Sequence, residues 1–171
     1  MPQAVAEFEK VSLEEFKRAH HAVGLHFDDA WFEKVYETIE LPERATSGSA
    51  GYDFKSTHTF WLDPGYTVTI PTGIRVKMEP GWFLMCAPRS GLGFKYRLQL
   101  DNTVGIIDSD YYNSDNEGHI MLKVTNDSKE GKELHVERGQ GFAQGIFLPY
   151  GVTVSDKTEA VRNGGFGSTG V

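Results

Sequence analysis

Residues 52–149 form a succession of short apolar runs, each stopped by a turn signal. Asp63-Pro64-Gly65 and Glu79-Pro80-Gly81 are the clearest stops, because proline presets φ and glycine accepts the left-handed turn position. The runs at 59–62, 67–70, 73–78, 82–87, 119–124 and 145–148 are too short for packed helices and rich in β-branched and aromatic residues. Residues 73–78 alternate apolar and charged side chains, as a half-exposed strand does, while 82–87 are nearly all apolar and read as a buried strand. Strands at this spacing predict an all-β fold: a sandwich, jelly roll or barrel. The 19 glycines and 7 prolines fit a turn-rich chain, and 171 residues suffice for one domain with a workable core.

Residues 1–40 have a different texture. Ser12-Leu13-Glu14-Glu15 fits a capping box, and Leu13, Phe16, Ala19, His20 and Val23 follow at helical spacing until Gly24. A second short helix is expected after Asp28, with Trp31, Phe32, Val35 and Ile39 on one side. The expected organisation is therefore a helical N-terminal extension over 1–40, a β domain over 41–161 beginning at Leu41-Pro42, and a glycine-rich tail over 162–171. The extension is expected to pack on the domain or on a protein partner. His20, His21 and His26 lie near Asp28 and Asp29, but adjacent histidines point to different sides of a helix. No CxxC or HExxH spacing accompanies them, so a metal site is not expected there.

The net charge of −7 argues against a nonspecific nucleic-acid or membrane binder, whose surface should be basic. Nothing reads as a signal peptide or a spanning helix. The single cysteine, Cys86, cannot form an intrachain disulfide, which favours a reducing, cytoplasmic location. It sits in an apolar run with no cationic neighbour to activate it, so it reads as an inert buried thiol.

The stretch richest in chemistry is Asn102-Thr103-Val104-Gly105-Ile106-Ile107-Asp108-Ser109-Asp110-Tyr111-Tyr112. An apolar run ends abruptly in Asp-Ser-Asp, which would hold a carboxylate at the mouth of a stiff strand. Gly105 inside the run marks a bulge or a close approach to the backbone. Asn102 offers an amide donor and acceptor, enough to read the polar edge of a base, and Tyr111 offers a flat apolar face. A plain hairpin with a polar turn accounts for this stretch equally well.

Other segments add to it. Pro88-Arg89-Ser90-Gly91-Leu92-Gly93 can present guanidinium, hydroxyl and backbone N–H groups to an anion, or be an exposed turn. Gln144 enters an apolar strand and must find partners, either as a structural clamp or as an orienter of a polar ligand. The tail from Arg162 to Val171 combines glycines and hydroxyls with Phe166, a combination suited to phosphates and a flat base. A disordered terminus is the alternative.

Five segments in this order resemble the trimeric dUTP diphosphatase (dUTPase) family. They are Ser49-Ala50-Gly51-Tyr52-Asp53, Pro88-Arg89-Ser90-Gly91-Leu92-Gly93, the stretch from Asn102 through Tyr111, that from Gly139 through Gln144, and that from Arg162 through Gly170. The resemblance spans about residues 41–171. It implies a jelly-roll-like β domain, a homotrimer with active sites built between subunits, and a tail that closes over a shared site. The implied reaction is hydrolysis of dUTP to dUMP and diphosphate, with Mg²⁺ held by the triphosphate and waters and by no protein ligand.

Carried over by this resemblance, Asp108 activates the attacking water, Asp53 supports the catalytic geometry, and Gln144 orders the phosphate site and the water. Asn102 and the backbone at Gly105, Ile106 and Ile107 would read uracil. Tyr111 would lie under the deoxyribose and exclude a 2′-hydroxyl, and Met121 would add a substrate contact. Arg89, Ser90 and Gly91 would hold phosphates. Phe166 would stack on uracil, with Arg162, Gly167 and Ser168 on the phosphates. The chemistry is coherent, because an aspartate is ionised at neutral pH and can take a proton from water, while arginine and N–H donors stabilise phosphate oxygens.

The chain departs from the common family pattern in four places. Gly141 stands where the family usually has arginine, the spacing from Arg162 to the Gly-Gly pair is one residue shorter, residues 112–116 lengthen the turn after Tyr111, and residues 1–40 lie outside the usual core. Two competitors share the fold. A dCTP deaminase carries a glutamate acid/base on the next strand, where this chain has Lys123. The other is a non-catalytic nucleotide- or protein-binding member, motivated by the extension.

Overall fold

The computed structural model describes residues 3–160 and 162. It is mostly β and antiparallel throughout its ladders. The N-terminal elements are β1 (Ala6–Lys10), α1 (Leu13–Ala22) and α2 (Asp29–Glu37). Then follow β2 (Glu43–Arg44), β3 (Tyr52–Lys55), β4 (Phe60–Leu62), β5 (Thr67–Pro71), β6 (Ile74–Met78) and β7 (Trp82–Pro88). A short helix α3 (Ser90–Tyr96) leads to β8 (Leu98–Leu100), β9 (Gly105–Asp108) and a 3-10 turn at Ser109–Asn113. The last strands are β10 (Met121–Asn126), β11 (Leu134–Val136) and β12 (Gly141–Pro149).

The largest sheet has the order β2-β3-β12-β7-β9, so β9 is an edge strand held by β7 alone. A three-stranded sheet, β5-β10-β8, and the pairs β11-β4 and β1-β6 complete the fold. Phe54, Ile70, Leu84, Ile107, Ile120, Leu134 and Phe142 form the fully buried core between them. The alternation expected for residues 73–78 is realised in β6, where Ile74, Val76 and Met78 are buried and Lys77 is exposed.

β7 is more open than its apolar composition suggests. Leu84 and Cys86 face the core, while Phe83, Met85 and Ala87 on the other face are only half-buried. In register, Ile106, Met85 and Ile146 form one outward apolar row, and Phe83 lies beside Leu148 and Asp108.

The N-terminal extension does not begin as a helix. β1 pairs along the whole of β6, and Phe8 packs its ring against Tyr52, Phe54 and Phe147. One alternating apolar residue sufficed to cover an open sheet edge, a signal too short to read as period two. The two helices form as expected, with Ser12 and Asp28 as N-caps. The capping box is only half made: Ser12 Oγ accepts from Glu15 N–H at 3.1 Å, but the Glu15 side chain turns inward instead. Val11, Phe16, Phe32 and Val35 form a second buried cluster, and Phe16 and Ile39 lie against Gly73 (φ +73°), where a Cβ would come within 2.5 Å of Ile39 Cδ1.

His20 is fully buried among Phe16, Phe27, Trp31, Phe32 and His58. Its Nδ1 donates to the Phe16 carbonyl at 2.9 Å. Burial pushes both His20 and His58 down to about 4. His21 and His26 stack on each other, and among the described residues no group of three or more His, Cys, Asp or Glu could hold a metal ion. No described helix is long and apolar enough to cross a membrane.

Candidate active site

Gly105 sits on β9 opposite Cys86, and a Cβ there would lie 3.1 Å from Cys86 Cβ and 3.5 Å from Leu100 Cδ1. The register runs without a shift from Gly105 to Asp108, so the glycine answers a close approach and not a bulge. Just before it the chain turns tightly: Thr103 N–H donates to Leu100 O at 2.8 Å and Val104 N–H to Asn102 O at 2.8 Å. Thr103 takes φ +69°, an uncommon conformation for a β-branched residue, imposed by the tight turn.

This turn helps wall a pocket of about 300 Å³. Asn102, Gly105 and Ile107 line one side, with Met121, Leu122 and Lys123 of β10 and Leu100 of β8 around the rest. Lys123 Nζ pairs with Asp101 Oδ2 at 2.9 Å on the rim, and Thr69 closes the far wall. A mostly apolar cavity with one convergent amide is the form a planar base requires. The Cys86 thiol, beneath this floor, is pushed up to about 12 by burial, as expected of an inert thiol.

Asp108 ends β9 half-exposed, and its carboxylate meets Arg162 Nη2 at 2.5 Å. Arg162 Nε reaches Asp110 at 3.0 Å, and its guanidinium lies 5.8 Å from the Tyr111 ring centroid. Arg162, expected on phosphates, is here drawn to two acids of the central stretch. Tyr111 is buried, its hydroxyl donating to the His119 carbonyl at 2.8 Å and accepting from Asn116 Nδ2 at 2.8 Å. Burial raises its phenol above the usual range.

A second cluster stands at the other end of the same sheet. Asp53 of β3 is opposite Gln144 of β12, and Gln144 is opposite Ala87 of β7. Arg89 Nε lies 3.3 Å from Asp53 Oδ1, and Gln144 Nε2 donates to the Pro88 carbonyl at 3.2 Å. Gly141 is where Arg89 folds back: a Cβ there would sit 3.0 Å from Arg89 Nη1 and 3.1 Å from its Cδ. The segment read as an anion turn is α3, with Ser90 and Gly91 exposed in its first turn.

The expected site residues thus gather in two groups. Asn102, Gly105, Ile107 and Met121 line the pocket; Ile106 faces outward from the same strand, Asp108 and Tyr111 follow at its end with Arg162 bound to Asp108, and Asp53, Arg89 and Gln144, with Ser90 and Gly91 next in the chain, form the other group. In the β7 register Asp108 faces Phe83 and Gln144 faces Ala87, four strand steps or about 13 Å apart at the usual rise, while Gly105, opposite Cys86, lies one step from Gln144. Phe166, Gly167 and Ser168 lie outside the described residues. The sequence reasoning missed Leu100, Asp101 and Lys123 as pocket walls and Asp110 as a partner of Arg162; only Asp110 carried a signal, as part of the acidic strand end.

The deoxyuridine 5′-triphosphate nucleotidohydrolase of Lactococcus lactis is 42% identical over 135 residues, covering 77% of this chain and 89% of the relative. That of Legionella pneumophila is 37% identical over 159 residues, covering 88% and 98%. The crystal structure of a dUTPase from Streptococcus mutans superposes with a TM-score of 0.62 at 31% identity, covering 85% of this chain and 97% of that one. The dUTPase family model matches residues 37–170, a span that opens at the last residue of α2 and takes in both groups of site residues; the chain belongs to the dUTPase family.

Proposed function

We propose that the protein hydrolyses dUTP to dUMP and diphosphate, with Asp108 as the base that activates the attacking water. The observation that carries this is the placement of Asp108 at the end of β9, whose inner residues Gly105 and Ile107 wall the pocket that Asn102 enters. Uracil in that pocket would meet the Asn102 amide and the β9 backbone, with the sugar toward Tyr111 and the α-phosphate toward Asp108. Water then attacks the α-phosphorus, the bond to the bridging oxygen breaks, diphosphate leaves, and the water's proton passes to Asp108. Gln144 and Asp53 would order the phosphate end, and Arg89 with the Ser90 and Gly91 N–H groups would hold its charge.

Asp108 and the Gln144–Asp53 pair stand four strand steps apart along β7, about 13 Å, so the Asp108 end and the Arg89 end do not converge within one chain's sheet. A homotrimer resolves this by bringing the Arg89 end of one copy to the Asp108 end of another. The outward apolar row of Ile106, Met85 and Ile146 supports such an assembly, because contiguous exposed apolar surface marks an interface. The tail from Arg162 would close the shared pocket, with Phe166 over the base and Gly167 and Ser168 on the phosphates. The donor set suits a Mg²⁺ carried by the triphosphate, since Asp108 and Asp53 are already engaged by arginines; bound there, the ion would neutralise charge on the phosphate oxygens. The single free cysteine, Cys86, which has no intrachain partner, supports a reducing, cytoplasmic setting for this step of dUMP biosynthesis.

A deaminase reading is disfavoured by Lys123, which is bound to Asp101 on the rim where that chemistry needs a carboxylic acid. Diphosphate release from dUTP by wild type and by D108N tests the proposal. The variant's kcat is expected to fall by about 10²–10⁴, the range for a lost general base, with KM little changed. Near-intact turnover would refute the role of Asp108.

A further inference from the structure

The N-terminal extension and the lengthened turn after Tyr111 meet at three places. Tyr112 Oη donates to Glu9 Oε2 of β1 at 2.8 Å, with Arg75 over the Tyr112 ring and bound to the same carboxylate at 2.7 Å. Glu117 accepts from Ser12 twice, from the backbone N–H at 2.8 Å and the hydroxyl at 2.6 Å. Glu15 of α1, its side chain 5% exposed, reaches His119 Nδ1 at 3.0 Å.

The last contact leads directly to Tyr111. His119 is fully buried, and its Nε2 accepts the Gly73 N–H at 2.8 Å. The ring proton must therefore sit on Nδ1, which donates to Glu15. The carbonyl of the same His119 accepts the Tyr111 hydroxyl. Glu117 and Gly118, with φ +58° and +72°, turn the chain between the two tyrosines and His119 in a conformation that costs energy for a glutamate. Such a turn keeps one shape only when its surroundings over-determine it, and here the three contacts from the extension do so.

We infer that Glu9, Ser12 and Glu15 are positioning residues that brace residues 109–119 and thereby fix Tyr111 against the sugar side of the substrate. The inference rests on the proposed dUTPase reaction for its substrate. The extension and the longer turn, two separate departures from the common family pattern in sequence, become one device: the turn supplies Tyr112, Glu117 and His119, and the extension supplies their partners. The device acts on substrate fit and on the choice between deoxyribose and ribose, while Asp108 on β9 is held independently by β7.

The test compares wild type, E15L, E15Q and Y112F in dUTP and UTP hydrolysis. E15L leaves His119 Nδ1 without its acceptor and is expected to raise KM for dUTP by about tenfold, the scale of one lost charge-assisted hydrogen bond, with kcat changed much less. The preference for dUTP over UTP should fall with it. E15Q keeps an acceptor oxygen and should restore both. Y112F loses only the contact with Glu9, folds on the same packing, and should move KM and the preference in the same direction by a smaller factor. Hydrogen exchange in residues 109–119 should quicken in E15L and Y112F. Folded E15L with wild-type KM, preference and exchange overturns the inference; if E15L does not fold, an unaltered Y112F overturns it. Failure of the wild type to hydrolyse dUTP would instead refute the reaction, and the exchange comparison would still decide whether the brace exists.

Discussion

Two buried histidines couple the extension to the β domain, and acid should reveal them. His20 and His58 lie 6.0 Å apart between ring centroids, 0% and 6% exposed, and His58 Nε2 finds no partner among the described residues. Burial holds both near 4 in the fold, whereas an unfolded chain titrates them near 6.5. The folded pKa is depressed, so the unfolded state binds more protons once the pH drops below 6.5, and stability present above that value is lost as pH falls through about 4. The gap is worth about 3 kcal/mol for each histidine, at 1.36 kcal/mol per pH unit. Against a total of roughly 5–15 kcal/mol this is a large share.

Carboxylates also lose stabilising partners in acid, so the measurement should be a difference. His58→Phe places a ring of similar size beside Phe27 and Phe60 and cannot be protonated. In urea unfolding followed by tryptophan fluorescence at one protein concentration, H58F should match wild type at pH 7 to within about 1 kcal/mol. Between pH 7 and pH 4.5 it should gain about 2–3 kcal/mol relative to wild type, the proton uptake that wild type pays alone. Parallel pH profiles for the two proteins would refute the reasoning and place the titration of His58 near its ordinary value.

Gly118→Ala would set a Cβ 2.6 Å from Tyr112 Cα and 2.9 Å from the Tyr111 carbonyl at φ +72°, and should cost about 2–4 kcal/mol, read as a lowered Tm. If the site is shared between copies as proposed, D108N and R89A, each impaired alone, should regain part of the wild-type turnover when unfolded and refolded together, because some mixed assemblies would hold one intact site; no recovery would refute a shared site. Ending the chain at residue 161 removes Arg162 from Asp108 and Asp110 and should abolish most turnover while sedimentation shows an unchanged oligomer.

Much of this molecule is legible in its residues where a signal spans enough of them. The strand runs of β5, β6, β7, β10 and β12 stand out by composition and by their Pro-Gly stops, and both helices by their caps. β1, β8 and β11 escaped because they are short and carry few apolar residues between turn signals, and each forms by pairing with a distant partner. α3 was hidden by Gly91 and Gly93, poor helix formers that a turn explains equally well. The pocket residues from Asn102 to Tyr111 were visible as one stretch, since β9 is contiguous. The separation of Asp108 from Arg89 and Gln144 was not, because it depends on where along β7 each one meets its partner. The inward turn of Glu15 was equally hidden: its capping role and its pairing with His119 call for the same residue type, and only the tertiary partner decides between them.

Cys86 lies on β7 directly below Gly105, fully buried and with its thiol pushed up to about 12. Thiol reagents can therefore modify it only after the central sheet opens. As the chain's one cysteine, it makes the native protein its own probe: the rate of alkylation, measured with and without nucleotide, reports the free energy of opening at the strand that holds β9. Ligands that occupy the pocket above it should slow that rate in proportion to their affinity, without any label or engineered residue.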